Sequence, residues 1–417
     1  MYIKRTIEKE ILEASKEFAC VTIYGARQVG KSTVVEHLFK DFAKITIDDL
    51  AIREYAFKDP KGLLDFYGYP LVIDEIQKAP GLLEAVKIKI DEYKRDCLAK
   101  NERPKLIYAL TGSNQFELQE AVSDSLAGRT AVLNMCSLSF GEIYGYSYEG
   151  PFNPDFDTLR KKEKKEHVFR SRKEIFEDIY RGGMPELVAL KPDRDRYLGS
   201  YVSTYIEKDV RKVINSSKEG TFLSFMQHIA LRTGNQIDFV DISQNVGIDV
   251  RTVKSWISIL ETSGIIKLLM PYMAHVSSNV IKTPKLYFLD TGLCAYLARI
   301  PSADILEKSA FSGPFYETYV FSEIIKTYMA SGRDYKNDIY YYRDKNQHEI
   351  DLIIESFDGL YPIEIKKGIN PVSNRKNFNV LQKFKKPILK GLVIDSCEKI
   401  TPINDDVFYC PISLIGL

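Results

Sequence analysis

Residues Gly25–Ser32 read GARQVGKS. The stretch fits G-x-x-x-x-G-K-[ST], and no other feature constrains the fold as much, because such a loop works only between a strand and a helix. Phe18–Tyr24 upstream is a short apolar run, FACVTIY, and TVVEHLFKDF downstream is helix-like. The two glycines let the chain turn its backbone N–H groups inward, where they can hold phosphate oxygens. Gly25, Ala26, Arg27, Gln28, Val29, Gly30, Lys31, Ser32 and Thr33 form the expected cradle. Lys31 supplies a positive charge for the β- and γ-phosphates and Ser32 a hydroxyl for Mg²⁺. The following helix points its N-terminus at the same place. The competing reading is an ordinary glycine-rich turn, which the flanking strand and helix disfavour.

A second element supports the first. Tyr69–Glu75, YPLVIDE, is an apolar run ending in two carboxylates. It reads as a buried parallel strand, and α/β folds place ligands at the C-terminal ends of such strands. Asp74 would hold Mg²⁺ through water, and Glu75 would act as catalytic base on the attacking water. A third run, Leu106–Leu110, leads into Thr111, Gly112, Ser113 and Asn114.

The order GARQVGKST, LVIDEIQ, LTGSNQ, SLAGR resembles the AAA-type ATPases of bacteria and archaea that carry a C-terminal domain of unknown function. Their motifs occur here between residues 25 and 129, with fainter ones continuing to about 366. The resemblance implies that Ser113 or Asn114 senses the γ-phosphate. It also implies that Arg129 contacts nucleotide, in cis or from a neighbouring subunit, so a homo-oligomer is compatible with it. Ser32 stands where many relatives have Thr, and either hydroxyl can ligate Mg²⁺.

At 417 residues the chain exceeds one ordinary core. It is 45% apolar and 28% charged, as globular proteins are. Lys and Arg number 58 against 57 Asp and Glu, so overall charge gives no argument for nucleic acid. No apolar stretch reaches the roughly 18 residues of a membrane span. The N-terminus lacks a signal-peptide core. Six cysteines are scattered with no CxxC pair. Reduced thiols, a cytoplasmic setting and no membrane partner are expected.

Further along, Arg160–Lys173 is basic but interrupted by Glu, and reads as a solvated helix. Arg181–Glu186, RGGMPE, resembles the family's GGxPE turn, and Tyr201–Val213 is an amphipathic helix. Asp209 and Arg211 on it would couple the ATPase to the rest, or be ordinary surface residues. Phe222, Phe225, Met226, Ile229 and Ala230 recur at helical spacing. Val240–Val246 is a second helix, Gly247-Ile248-Asp249 a turn with Asp249 as N-cap. Val250–Thr262 is a third, with Val253, Trp256, Ile257 and Leu260 inward. Gly264–Lys267 and Lys285–Phe288 then read as wing strands. A winged helix fits, exposing Arg251, Lys254 and Ser255, which is weakly basic for DNA contact. A protein partner or a structural role remains the other reading. Asp290–Leu293, DTGL, resembles the turn closing this module in the family.

In the last quarter, Ile350–Ile354 and Tyr361–Lys366 are strands joined by a turn at Asp358-Gly359. Glu364 and Lys366 share a face, and Asp351 lies opposite. With Glu317 on an upstream helix and Arg343 and Glu349 before the first strand, the pattern resembles the PD-(D/E)XK nuclease fold. That resemblance implies Mg²⁺ or Mn²⁺ held by Glu317, Asp351 and Glu364, with Lys366 positioning water. The other readings are a nucleic-acid-binding module that does not cut, and a structural domain with a surface ion pair.

The expected architecture is α/β: a P-loop AAA-type ATPase core at 1–150, a helical lid at 151–215, a winged helix at 216–300 and a restriction-endonuclease-like α/β domain at 301–417. The expected function is Mg²⁺-dependent ATP hydrolysis coupled to distal modules that act on DNA. The alternative is a nucleotide-switched binding or signalling protein whose last domain does not cut. A helicase-like motor fits less well, as there is no second P-loop and no basic and aromatic array for a single strand.

Overall fold

A computed structural model describes residues 2–113, 125–146, 150–165, 169–206, 210–211, 214, 218–273, 282–369 and 375–416, with the backbone alone for 375–377. The chain divides into two compact units. The first comprises Met1–Leu138, Thr262–Gly264 and Met329–Gly332; the second comprises Ser139–Glu261, Ile265–Tyr328 and Arg333–Leu417.

In the first unit, α1 (Ile7–Glu17), β1 (Cys20–Tyr24), α2 (Lys31–Leu38), β2 (Ala43–Thr46), α3 (Leu50–Lys58), α4 (Pro60–Tyr67), β3 (Leu71–Asp74), α5 (Pro80–Ala99), β4 (Tyr108–Gly112) and β5 (Thr130–Asn134) follow in order. The five strands form one sheet, β2-β3-β4-β1-β5, and every pairing is parallel. Successive side chains alternate between faces, so a sheet covered on both sides needs apolar residues throughout. Leu71 and Ile73 pack with Leu82, Leu83, Val86 and Ile90 of α5. Val72, between them in sequence, packs on the other face with Ile7, Ile11, Val34 and Val35. That alternation explains the unbroken apolar runs. The helix after the phosphate loop is shorter than TVVEHLFKDF suggests: α2 ends at Leu38, where Phe39 leaves helical geometry.

The second unit opens with α6 (Phe140–Tyr144), α7 (Phe156–Lys165), α8 (Arg172–Arg181), α9 (Pro185–Leu190) and α10 (Arg194–Tyr205). The basic stretch 160–173 is therefore not one helix. Ser171 starts α8 afresh through a capping box with Glu174. The helix expected over Tyr201–Val213 begins earlier, and α10 ends at Tyr205. Asp209 lies outside the described residues, and Arg211 pairs with Glu219 at 2.6 Å.

Next come α11 (Glu219–Ala230), β6 (Asn235–Gln236), α12 (Phe239–Val246), α13 (Val250–Thr262), β7 (Ile266–Leu269), β8 (Lys285–Phe288) and α14 (Thr291–Leu297). The spaced apolar residues of α11 and α13 are all buried. Asp249 caps α13 by accepting the Thr252 N–H at 2.9 Å. The first wing strand lies two residues later than expected. The three strands pair antiparallel in the order β6-β8-β7.

Two turns singled out in the sequence meet at one joint. Asp290 caps α14 through the Leu293 N–H and also accepts the Gly183 N–H, both at 2.9 Å. A Cβ on Gly292 would lie 2.3 Å from the Arg181 carbonyl oxygen, so the backbones approach too closely for any other residue.

The chain finishes with α15 (Ala303–Lys308), α16 (Ser312–Ala330), β9 (Ile339–Arg343), β10 (Glu349–Glu355), β11 (Leu360–Ile365), β12 (Gly391–Asp395), β13 (Thr401–Pro402) and β14 (Val407–Pro411). Its six-stranded sheet runs β13-β14-β12-β11-β10-β9. β9, β10 and β11 pair antiparallel, while β11-β12 and β12-β14 are parallel. The expected hairpin is present, and Lys366 lies just past the end of β11. Among the described residues, no helix is long and apolar enough to cross a membrane.

Candidate functional site

The phosphate loop joins β1 to α2 at the carboxyl edge of the parallel sheet. A Cβ on Gly25 would fall 2.0 Å from the Met135 carbonyl oxygen, so the loop passes where only glycine fits. Gln28 and Gly30 hold φ of 58° and 94°, which bends the loop back on itself. Ala26 and Arg27 are half-buried, Val29 is buried and Thr33 is exposed at the start of α2. The Lys31 ammonium is turned inward, donating to the Gly25 and Ala26 carbonyls at 3.1 and 2.8 Å. It thus closes the cradle that the loop backbone outlines.

β3 delivers the two carboxylates, one strand beyond β4 from β1. Asp74 Oδ1 accepts from the Ser32 hydroxyl at 3.0 Å and from the Thr111 hydroxyl. Glu75 sits immediately after the strand in left-handed backbone, φ 56° and ψ 39°. That conformation is costly for a non-glycine residue and here turns the carboxylate toward β4. Its Oε2 accepts from the Ser113 hydroxyl at 2.9 Å, the Ser113 N–H at 3.4 Å and the Gln77 amide. Ser32 and Thr111 thus hold Asp74, Ser113 and Gln77 hold Glu75, and the two sets meet only where Asp74 and Glu75 adjoin in the chain. Asn114 lies outside the described residues.

Arg129 stands apart from both sets. Its guanidinium forms a two-pronged pair with Asp91 of α5, at 2.8 and 2.9 Å. The pair holds the Asp91 carboxyl below its ordinary range. A nucleotide contact by Arg129 would have to exchange this partner.

Arg5 belongs to no motif, yet it braces the loop. Its side chain is 5% exposed and donates to the Val29 carbonyl and the Cys136 carbonyl, both at 2.7 Å. Nothing local marks it, because its partners lie 24 and 131 residues away. Arg5→Ala is expected to lower stability by about 1.5–3 kcal/mol, the worth of a charged hydrogen bond lost with its acceptors left buried. ATP affinity should fall about tenfold as Val29 loses its brace. Denaturant unfolding and titration with a fluorescent nucleotide check both; unchanged values in the two would remove Arg5 from this role.

The fit to Mg²⁺-ATP rests on the donor set. A hydroxyl and a carboxylate 3.0 Å apart suit one hard cation. An inward ammonium and a loop of backbone N–H groups at a helix start suit phosphate. The AAA domain profile matches residues 17–144, which hold this whole group. A domain of unknown function, DUF8612, matches 172–304, and another, DUF4143, matches 312–415. This chain carries an AAA-family ATPase domain and a C-terminal DUF4143 domain. As a class, AAA domains bind ATP with Mg²⁺.

Uncharacterized proteins of Mycobacterium tuberculosis and Mycobacterium bovis are each 22% identical to the AAA-domain chain over 396 residues. The match covers 94% of this chain and 79% of each relative. Among solved structures, a Walker-type ATPase of Pyrococcus abyssi aligns with 72% of this chain and 96% of its own, at 14% identity and a TM-score of 0.42. The RuvB Holliday junction branch migration motor of Thermotoga maritima aligns with 64% of this chain and 89% of its own, at 15% identity and a TM-score of 0.31.

The second unit holds another charged cluster. Glu317 lies on α16, Asp351 on β10 and Glu364 on β11, as expected, whereas Lys366, expected on the same strand as Glu364, lies just beyond its end. Lys366 pairs with Glu364 at 2.5 Å. Asp351 Oδ2 accepts the Ile365 N–H at 2.7 Å. Burial, then the neighbouring Glu317 and Glu364 carboxylates, push the Asp351 carboxyl well above its ordinary range. Burial also raises Glu364, against the pull of Lys366. A residue with no assigned role completes the cluster: Lys285 of β8, whose ammonium lies 2.9 Å from Glu317 and 2.7 Å from Glu349. Among the described residues, no three His, Cys, Asp or Glu side chains converge to hold a metal ion.

Proposed function

We propose that the first unit binds ATP with Mg²⁺ and hydrolyses it. The observation that carries this reading is the pair of hydrogen-bonded carboxylates, Asp74 with Ser32 and Glu75 with Ser113, at the carboxyl edge of the parallel sheet, beside the phosphate loop. Lys31 exchanges its two loop carbonyls for phosphate oxygens when nucleotide enters. The Ser32 hydroxyl and the Asp74 carboxylate hold Mg²⁺, with Thr111 orienting Asp74. Mg²⁺, when bound, neutralises charge on the phosphates. Glu75 accepts the proton of the attacking water, and Ser113 and Gln77 fix the direction of its carboxylate.

The second unit is read as the responder, with a lid at 151–215, a winged helix at 216–300 and a PD-(D/E)XK-like domain at 301–417. In the three-helix module, α13 exposes Arg251, Lys254 and Ser255. Two cations are few for a phosphate backbone, which favours the nucleotide-switched binding reading, with DNA or a protein as partner. Metal-dependent cleavage at Glu317, Asp351 and Glu364 is the second reading, supported by their order along the chain and by the Lys366–Glu364 pair.

The decisive assay is phosphate release from ATP by the full chain with Mg²⁺. Wild type should turn over, and Lys31→Ala should lose both turnover and nucleotide binding. No nucleotide binding by wild type, or equal turnover in the variant, would sink the proposal.

A further inference from the structure

We infer that Lys285 is the resident cation of the Glu317–Asp351–Glu364 cluster, so that the cluster holds the three-stranded and six-stranded sheets together without a divalent metal. The inference bears on the non-cutting reading of the second unit and does not depend on ATP hydrolysis.

Lys285 lies on the central strand of the β6-β8-β7 sheet, with its side chain 3% exposed. A buried ammonium needs carboxylate partners. It has Glu317 Oε1 at 2.9 Å and Glu349 Oε1 at 2.7 Å. Tyr287, two residues on and hence on the same face, donates its hydroxyl to Glu317 Oε1 at 2.6 Å. Glu317 Oε1 therefore already has two donors. Asp351 is taken by the Ile365 N–H, Glu364 by Lys366, and Glu349 also by Arg343 at 3.4 Å. Four carboxylates thus face three cations: Lys285, Lys366 and Arg343. A divalent ion taking Glu317 as a ligand would meet the Lys285 ammonium, which lies 2.9 Å from the same carboxylate. Like charges so close in a dry environment repel strongly. It would have to expel the lysine, which β8 anchors through pairing on both edges.

The cluster is also a bridge between elements. Its cation comes from β8, and its acids come from α16, β10 and β11. In this arrangement the ammonium does the charge balancing that a metal would otherwise do, and it cannot diffuse away.

The test is Mn²⁺ alone, without nucleotide, titrated calorimetrically into the full chain. Wild type and Asp351→Asn should bind the same number of Mn²⁺ ions, because none depends on Asp351. Lys285→Met should gain one Mn²⁺ per chain, and Lys285→Met/Asp351→Asn should lose it again. An Asp351-dependent Mn²⁺ in wild type would overturn the inference, as would a folded Lys285→Met that gains none. If Lys285→Met does not fold, the comparison of wild type with Asp351→Asn decides alone. Labelled DNA with Mn²⁺ should stay intact with wild type; cutting abolished by Glu364→Ala would equally overturn it. Phosphate release from ATP, measured on the same preparations, separates a failure here from a failure of the ATPase reading.

Discussion

Glu75→Gln is expected to lower kcat for ATP hydrolysis by about 10²- to 10⁴-fold, the usual contribution of a positioned base, with nucleotide affinity changed little. The amide has nearly the shape of the carboxylate and keeps an acceptor oxygen for Ser113 and Gln77. It cannot take a proton from water. The side-chain partners of Glu75 are Ser113 and Gln77, whereas Ser32 pairs with Asp74, so the substitution leaves the Ser32–Asp74 pair in place. The effect should fall on kcat while KM stays within a few fold, which marks an interaction made in the transition state. Single-turnover phosphate release together with a nucleotide titration measures both. Release within threefold of wild type would move the base elsewhere. A large loss of ATP affinity would make Glu75 a binding residue instead.

Lys285→Met is expected to destabilise the second unit by about 3–5 kcal/mol, the cost of removing one partner from a buried ion pair. Methionine fills a similar volume, so the loss is electrostatic rather than a cavity. Glu317 keeps Tyr287 and Glu349 keeps Arg343, but neither retains the shared ammonium. The chain's single tryptophan reports on this module. Trp256 is buried on α13 against Phe222 and Phe225, with ring centroids at 5.0 and 5.2 Å. Its fluorescence during denaturant unfolding follows the unit that contains β8. The double variant Lys285→Met/Glu317→Gln should recover part of the loss, because one uncompensated charge has gone with the cation. A single-variant loss below about 1 kcal/mol would show that the pair is as weak as an exposed one.

Much of the candidate ATP site is legible in the sequence. A phosphate-loop motif is local: its glycines, lysine and hydroxyl lie within eight residues of one another, at a fixed spacing. The strand ending in Asp74-Glu75 is legible because parallel strands covered on both faces must be apolar throughout. The helices of the 219–262 segment show themselves through helical spacing of residues that are buried in the fold. Boundaries are less visible. α2 stops at Leu38 and the stretch 160–173 breaks at Ser171, since caps and packing outweigh composition there.

The charge partners are not legible. The family resemblance implies a nucleotide contact for Arg129, yet its partner in the fold is Asp91 on α5, a residue with no motif around it. Arg5 braces the loop from the chain's start. Lys285 reads only as part of a wing strand, and its acids lie 32 and 64 residues further on at Glu317 and Glu349.

By itself, then, the sequence determined what is encoded over a few residues: the phosphate cradle, the acidic strand end, the amphipathic helices and the hairpin carrying Asp351 and Glu364. Each depends on backbone geometry and periodicity, which short windows contain. Only the tertiary structure decided which charges meet. An ion pair depends on distance in space, and residues far apart in the chain carry no mark of it until the sheets and helices have packed. That is why the four residues expected around a metal, Glu317, Asp351, Glu364 and Lys366, could be named from sequence, whereas the buried ammonium of Lys285 among them could not.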